Sequence, residues 1–411
     1  MSRASVFLRV AVGLATLLGL TVLVTVPPAT AASVHVTALA AGQDQSLALL
    51  SNGTVMAWGG NVDGDFGIGS NVPSLIPVKV PGLTGVKAIA AAEDSTSYAL
   101  LSNGTVMVWG GDDYGQYGIG TVGWHSATPI KVPGLRNVTA ISASDGTVFA
   151  RLKNGTVMAW GANSEGQLGQ GTFSGAPCGC VPQPTAVTGL SAVSAIVAGN
   201  AGDGLAILHD GTLESWGNNG NGQLGDGSVP KTVSVPGCCT DSPEPVTSVT
   251  GVKAVTGGGW GTLALLKNGT VEAWGSNANG ELGDGTVATG IGCECTGTPQ
   301  GVPGLTGVRA VAAGDFWNLA LLKNGNVMAW GDNKRGWLGN GTFTSNQCDC
   351  ISQPVQTNIS GVVAIAVGTE HSLALLKNGT VMAWGANDWG QLGDGTTNDS
   401  DVPVEVTGLG T

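Results

Sequence analysis

The sequence predicts an all-β fold, a seven-bladed β-propeller of four-stranded antiparallel blades. Seven Trp-Gly pairs, one in each repeat unit, follow one another at spacings of 51 to 58 residues, and an Asn-Gly or Asp-Gly dipeptide precedes each of them. Glycine is the commonest residue, 69 of 411, whereas charged residues make up only 11%. A period near 50 residues indicates a repeat architecture, and short strands joined by glycine turns fit this composition better than helices do.

Each unit repeats the same parts in the same order. A strand of small residues comes first, as in Val86–Ala91, and an apolar strand such as 372–376 follows it. A hairpin turn leads into the strand that ends on the tryptophan, then a glycine-rich loop, and a Pro-Val strand such as 403–406 closes the unit. The seven tryptophans are Trp58, Trp109, Trp160, Trp216, Trp274, Trp330 and Trp384. Because a residue present in every unit is typical of packing, we expect these side chains to lie between blades.

The hairpin turn is the strongest local signal. Asn-Gly between two apolar runs indicates a two-residue type I′ turn, which needs a positive φ at both central residues. Unit four replaces it with Asp210-Gly211. The flanking strands are apolar on both faces, as expected for sheets packed between neighbours, and the small residues of the first strand fit a crowded ring axis.

The glycine-rich block, A-W-G-x-N-x-x-G-Q-L-G-x-G after an A-L-L-x-N-G hairpin, resembles the repeats of the regulator of chromosome condensation family over residues 34–409. The resemblance implies seven blades. The founding activity of that family is nucleotide exchange on a small nuclear GTPase, and we assign no exchange residue here, because a secreted acidic chain would not meet that partner. The blades and aromatic-rich loops are also similar to those of secreted bacterial β-lactamase inhibitory proteins of propeller type.

The first 31 residues have the pattern of a secretory signal peptide. Arg3 and Arg9 precede an uncharged apolar run at 10–26, and Ala29-x-Ala31 matches the small-residue cleavage site. An uncleaved anchor is the alternative, although the run is shorter than the roughly 20 residues of a spanning helix. We therefore predict a secreted, extracellular propeller over residues 32–411, with no membrane contact after cleavage.

The charge of the mature chain argues against anionic partners. Loss of two arginines changes the formal net charge from −12 to −14. Such a chain repels nucleic acid phosphates and anionic lipid heads, so we expect neither as a partner.

In an up-and-down blade, the loops after the first and third strands lie on one face, which we call the loop face. The hairpin turns lie on the opposite face, the turn face, together with the connections between blades. Because binding residues concentrate on loops, residues that depart from the repeat on the loop face are candidates. The predicted binding residues are Tyr114, Trp260, Phe316, Trp317, Trp337, Glu370, His371 and Trp389. The alternative interpretation is that they fill gaps between blades.

The function that these residues predict is binding of a protein partner or a cell-wall component by a non-enzymatic monomer. One alternative is inhibition of a secreted or cell-wall enzyme such as a β-lactamase, and another is a hydrolase or lyase with its site at the propeller axis. We find no G-x-S-x-G, H-E-x-x-H or phosphate-binding loop motif. We therefore expect no catalytic residue, no cofactor and no metal.

Eight cysteines form four close pairs in units three to six: Cys178/Cys180, Cys238/Cys239, Cys293/Cys295 and Cys348/Cys350. In a secreted chain, paired cysteines usually form disulfides. Bonds within each pair and bonds between adjacent blades both remain open, and metal binding by the C-x-C thiolates is a further alternative.

Overall fold

A computed structural model describes residues 33–175, 178–229, 239–288, 294–343 and 350–409. These residues form seven sheets, each made of four consecutive antiparallel strands. The predicted all-β, seven-bladed propeller is therefore confirmed. The predicted signal peptide and three of the cysteines, Cys238, Cys293 and Cys348, lie outside the described residues.

The strand boundaries follow the repeat. Blades one to four consist of β1 (Val36–Ala41), β2 (Gln45–Leu50), β3 (Val55–Gly59) and β4 (Ser74–Lys79); β5 (Val86–Ala91), β6 (Thr96–Leu101), β7 (Val106–Gly110) and β8 (Ser126–Lys131); β9 (Val138–Ser144), β10 (Thr147–Leu152), β11 (Val157–Ala162) and β12 (Cys180–Ala186); and β13 (Val193–Gly199), β14 (Asp203–Leu208), β15 (Leu213–Asn218) and β16 (Cys239–Pro245). Blades five to seven consist of β17 (Val252–Gly257), β18 (Gly261–Leu266), β19 (Val271–Gly275) and β20 (Thr296–Gly301); β21 (Val308–Ala313), β22 (Trp317–Leu322), β23 (Val327–Gly331) and β24 (Ile351–Gln356); and β25 (Val362–Val367), β26 (His371–Leu376), β27 (Val381–Gly385) and β28 (Ser400–Glu405).

The first strand of each blade lies at the axis, where it contacts the first strands of both neighbouring blades. Small side chains allow this approach, as the sequence Ala88-Ile89-Ala90-Ala91 in β5 illustrates. The second and third strands are almost wholly buried between blades, and the fourth forms the outer edge. The interior therefore consists of a series of inter-blade cores arranged around a ring.

The hairpin turn differs from the predicted type. In blade seven, the backbone N–H of Gly379 donates to the carbonyl of Leu376 (3.0 Å), and the loop closes with Leu376 and Thr380 paired. Gly379 has a φ of +94°, whereas Asn378 is absent from the residues with positive φ. The turn is thus a three-residue loop with glycine alone in the left-handed region. Asparagine contributes through its side chain instead, since Asn378 Oδ1 accepts the N–H of Thr380 (3.1 Å).

The repeated tryptophans join neighbouring blades. Each indole N–H donates to a backbone carbonyl in the glycine-rich loop of the preceding blade, over 2.7 to 2.9 Å. The glycine after that loop's leucine allows close contact, because a Cβ at Gly393 would lie 2.7 Å from Trp58 Nε1. The packing role predicted for these tryptophans is therefore confirmed.

The ring closes between blades seven and one without a shared strand, because each of those sheets is built from its own four consecutive strands. Trp58 of blade one donates to the carbonyl of Gln391 in blade seven (2.9 Å), as at the other blade junctions. A buried cluster that includes Val36, Leu373 and Val406 joins the two ends of the propeller.

Among the described cysteines, Cys178 and Cys180 form a disulfide within their pair, with their Cα atoms 5.2 Å apart. Cys239, Cys295 and Cys350 are also disulfide-bonded. The pairing of the remaining cysteines stays a prediction.

Candidate functional site

Exposed apolar side chains are concentrated on the loop face. Of the thirteen large hydrophobic residues exposed in the described part of the chain, nine lie in its loops: Val62, Val72, Tyr114, Val122, Trp124, Phe173, Trp260, Phe343 and Trp389. Leu75, Ile76 and Val402 lie at the adjoining starts of outer strands, and Val34 alone precedes β1 on the turn side. Clustered exposed apolar residues mark interaction surfaces, so the two faces are chemically distinct.

The eight predicted binding residues fall into two groups. Tyr114, Trp260 and Trp389 are 42%, 44% and 43% exposed, and Phe316 and Glu370 are half-buried. The remaining three are buried, at 0% for Trp317, 4% for Trp337 and 0% for His371. The buried three have almost no surface with which to contact a partner directly.

The burial of the two tryptophans has a local cause. The rings of Trp317 and Trp337 stack at a centroid distance of 4.9 Å and an angle of 14°. Trp337 occupies the position that glutamine takes in the loops reading G-Q-L-G. The glutamine side chain turns inward there; Gln391 Oε1, for example, accepts the backbone N–H of Trp389 (2.9 Å). The two large rings, both from blade six, therefore replace a polar contact with stacking and pack in one buried cluster with Trp384 of blade seven, as in the packing interpretation.

His371 is part of the ring closure. Its Nε2 lies 2.7 Å from Ser46 Oγ, which in turn donates to the carbonyl of Gln391 (3.0 Å). Burial lowers the pKa of His371 to about 3, so its imidazole is neutral. The imidazole therefore joins blades seven and one, and it is shielded from solvent.

An acidic well opens at the axial end of the loop face. It has a volume of about 340 Å³, and its lining includes Glu93, Asp145, Asn200, Trp260 and Asp315. These residues come from five successive blades. The Asn200 amide donates to the Glu93 carboxyl and thereby links blades four and two across the axis.

Burial in the well disfavours the charged form of the Glu93 and Asp315 carboxyl groups and so raises their pKa values. Burial raises the pKa of Glu93 well above its usual range, and the neighbouring Asp315 raises it further. Burial also raises the pKa of Asp315. Two close carboxyl groups resist joint ionisation, so the contact between Glu93 and Asp315 adds to the effect of burial. Within the described ranges, no cluster of three or more His, Cys, Asp or Glu residues is arranged to hold a metal ion.

Sequence comparison places the chain in a family. Residues 17–352 match the RCC1-like domain, and residues 362–391 and 378–411 match the regulator of chromosome condensation (RCC1) repeat. The chain belongs to the RCC1-like domain family. It is 29% identical over 397 residues to the ultraviolet-B receptor UVR8 of Arabidopsis thaliana, covering 94% of this chain and 84% of the receptor. It is also 29% identical over 382 residues to the human E3 ubiquitin-protein ligase HERC2, covering 89% of this chain but only 7% of the ligase.

Solved structures share the fold of this RCC1-like propeller. Yeast RCC1 (Prp20), in its complex with Kap60, has a TM-score of 0.73 at 21% identity, covering 91% of this chain and 85% of that chain. Prp20p from Saccharomyces cerevisiae has a TM-score of 0.72 at 22% identity, covering 91% of this chain and 88% of that chain. These similarities establish a common architecture.

A cluster of ion pairs joins the loops of blades six and seven. Arg335 Nη1 lies 2.9 Å from Glu370 and 2.7 Å from Asp388, while Nε and Nη2 contact Asp399 at 2.8 and 2.7 Å. Bidentate contact of this kind restricts the geometry of both partners. Trp389 follows Asp388 directly, so this cluster holds the exposed indole on a restrained loop.

The charges of the RCC1-like propeller are segregated between its faces. Each charged residue is assigned to a face by its position relative to the ends of the strands. The loop face carries 22 of the 27 described carboxylate side chains. It carries two of the 13 described Lys and Arg residues, Lys334 and Arg335. The turn face carries the other eleven cations and five carboxylates, Asp210, Glu214, Glu244, Glu272 and Glu405. The formal charge is thus −20 on one face and +6 on the other, a division that the overall net charge conceals.

Proposed function

We propose that this RCC1-like chain is a secreted, non-enzymatic propeller that binds a partner protein or a cell-wall component through its loop face. The observation that carries the proposal is that, among the described residues, the exposed aromatic side chains all lie on that face, including Trp260, Trp389 and Tyr114. Aromatic residues in such positions are typical anchors of protein interfaces.

Partner binding by related propellers supports the proposal. Yeast RCC1 was crystallised bound to Kap60, and the binding of Prp20p to Gsp1p and histones has been described. Secretion rests on the signal-peptide pattern of residues 1–31. The close cysteine pairs agree with an oxidising compartment, since disulfides persist there. In the part of the chain that the structure describes, no helix has the length and apolar character to span a membrane.

The experiment is affinity capture from culture supernatant and isolated cell wall with the mature chain as bait. A Trp260→Ala, Trp389→Ala double variant should retain less than a tenth of the captured partner, because it removes two exposed anchors. A Val34→Ala variant, which truncates an exposed side chain on the turn side, is the control. Equal capture by the double variant and the unmodified protein, with both folded, would refute the loop-face proposal. Trp317 is unsuitable for this test, because its truncation would leave a buried cavity.

A narrower form of the proposal is inhibition of a secreted or cell-wall enzyme such as a β-lactamase. It rests on the similarity of the blades and loops to propeller-type inhibitory proteins. Titration of purified β-lactamases with the chain measures it directly: stoichiometric loss of hydrolysis supports inhibition, and unchanged rates with saturating propeller reject it for those enzymes.

The Glu93–Asp315 pair favours one function of another class, a hydrolase or lyase at the axial well. A buried carboxyl with a raised pKa can act as a general acid. Hydrolysis or elimination of wall polysaccharide fragments, lost in Glu93→Gln but retained in the double tryptophan variant, would replace binding with catalysis as the main function.

A further inference from the structure

The turn face presents unpaired positive charge. Lysine is the first residue of the three-residue hairpin loop in four blades, at Lys153, Lys267, Lys323 and Lys377, and all four are exposed. None of them lies within 4.0 Å of a carboxylate in any ion pair of the described residues. Because these positions are equivalent in the repeat, the four charges lie at a similar level along the propeller axis, at the turn-face end of their blades.

A second set of cations lies nearer the axis. In every blade one residue of the first strand is unpaired at a β-bulge, and this residue is Lys87, Lys253 or Arg309 in blades two, five and six. All three are exposed at the turn-face end of the strand. Lys79 and Lys131 end the outer strands of blades one and two on the same face. Cations are therefore spread from the axis to the rim of this face, where Val34 is the only large exposed hydrophobic residue among those that the structure describes.

Distance separates this charge from the acidic loop face. A six-residue strand such as β26 spans about 20 Å at roughly 3.3 Å per residue. The Debye length is about 8 Å at physiological ionic strength. The carboxylates of the loop face thus lie more than two Debye lengths from a surface that touches the turns, and their repulsion is largely screened.

We propose that the turn face adsorbs onto a flat anionic lipid surface. Cations distributed over a broad face match a planar array of phosphate head groups, whereas a linear polyanion requires a stripe or groove, and exposed aromatics for stacking lie on the other face. The shortage of apolar side chains on the turn face indicates adsorption without insertion. Net charge alone predicts that anionic lipid is repelled, whereas the separation of charge between the faces predicts attraction to the turn face.

Adsorption in this orientation directs the loop face away from the lipid. The strong opposite charges of the two faces favour this orientation over the inverted one, since the loop face is repelled. The turn face would thereby act as an attachment surface and leave the aromatic loops accessible. The inference is independent of which partner those loops bind.

The test is co-sedimentation of the chain from Ala32, which contains all seven sheets, with vesicles of phosphatidylcholine containing about 30% phosphatidylglycerol, at 0.1 M salt. Lys323→Glu and Lys334→Glu form a matched pair, because both replace an exposed lysine of blade six and change the net charge equally, but on opposite faces. Loss of one surface lysine weakens partition about fivefold, and the added anion should weaken it by roughly the same factor again. Lys334→Glu should partition like the unmodified chain.

Three results would overturn the proposal. The first is equal binding to vesicles of phosphatidylcholine alone. The second is equal weakening by the two variants when both retain the unmodified thermal midpoint. The third is preferential binding of duplex DNA over the anionic vesicles at equal phosphate concentration, which would assign the cations to a linear polyanion. Loss of vesicle binding above 0.5 M salt is expected, since the attraction is electrostatic.

Discussion

Asp203, the first residue of β14, should make the stability of the propeller depend on pH. Its side chain is 1% exposed, and both carboxylate oxygens lack a hydrogen-bond partner among the described residues. Burial raises its pKa from 3.8 to about 7, despite nearby backbone N–H groups and with a small additional contribution from Glu165. The folded state therefore favours the protonated acid, whereas the unfolded chain ionises at the ordinary value.

The sign and size follow from proton linkage. A folded-state pKa above the unfolded value gives stability that is complete below pH 3.8 and is lost as the pH rises through about 7. At about 1.4 kcal/mol per pH unit between these values, ionisation of Asp203 lowers stability by roughly 4 kcal/mol at pH 8 and by roughly 2 kcal/mol at pH 5, relative to low pH. Asp203→Asn removes this dependence and adds only a constant cost for its buried amide.

The assay is equilibrium urea denaturation of the oxidised protein at pH 5, 6, 7 and 8, followed by tryptophan fluorescence. The unfolding free energy of Asp203→Asn, relative to the unmodified chain, should rise by about 2 kcal/mol from pH 5 to pH 8. Asp210→Asn is the control, because Asp210 is fully exposed and the substitution restores the Asn-Gly turn of the other blades. A difference between Asp203→Asn and the unmodified chain that stays constant across this pH range would refute the reasoning.

Three further predictions concern the junctions between blades. Trp58→Phe and Trp216→Phe each remove one inter-blade hydrogen bond and part of a buried ring, so thermal denaturation should show a similar loss of roughly 1–3 kcal/mol for both. A much larger loss for Trp58→Phe would show that the ring closure depends on this contact more than the other junctions do. Arg335→Lys breaks the bidentate ion pair and should lower stability by about 1 kcal/mol at low salt; an equal loss at 1 M salt would contradict an electrostatic origin. His371 has a depressed pKa, so its own contribution to stability should fall as the pH drops below 6.5, by up to about 1.4 kcal/mol per unit; in urea denaturation the unmodified chain should lose stability relative to His371→Gln over this range.

The sequence predicted the blade architecture because every blade repeats the same local signals. The Asn-Gly position, the first strand of small residues and the Trp-Gly pair indicate the same blade structure in nearly all units. Because these local signals agree, the fold could be predicted from the sequence. The turn type was wrong because Asn-Gly is compatible with both two- and three-residue loops. The residue before Asn378 belongs to the loop, and only the backbone conformation reveals this.

The buried members of the predicted site were misplaced for a related reason. Trp337 departs from the repeat, and a departure on the loop face suggested exposure. Alignment with the glutamine of G-Q-L-G indicates an inward position, and a second large residue nearby, Trp317, was the available sign of a stacked pair. The axial well was harder to predict, because the Glu93–Asp315 contact joins blades two and six, and only the curvature of the ring brings them together.

The ring closes without exchange of a strand between its first and last blades. The point at which the chain begins around the ring therefore affects the connections between blades and not the composition of any sheet. Every sheet is complete in itself, and the junction between blades seven and one uses the same indole-to-carbonyl bond as the rest. Val36 and Leu409 pack in one cluster, so a short linker can join the existing ends. A circular permutant opened between β4 and β5 should therefore build the same seven sheets and leave a different pair of neighbouring blades without a chain connection.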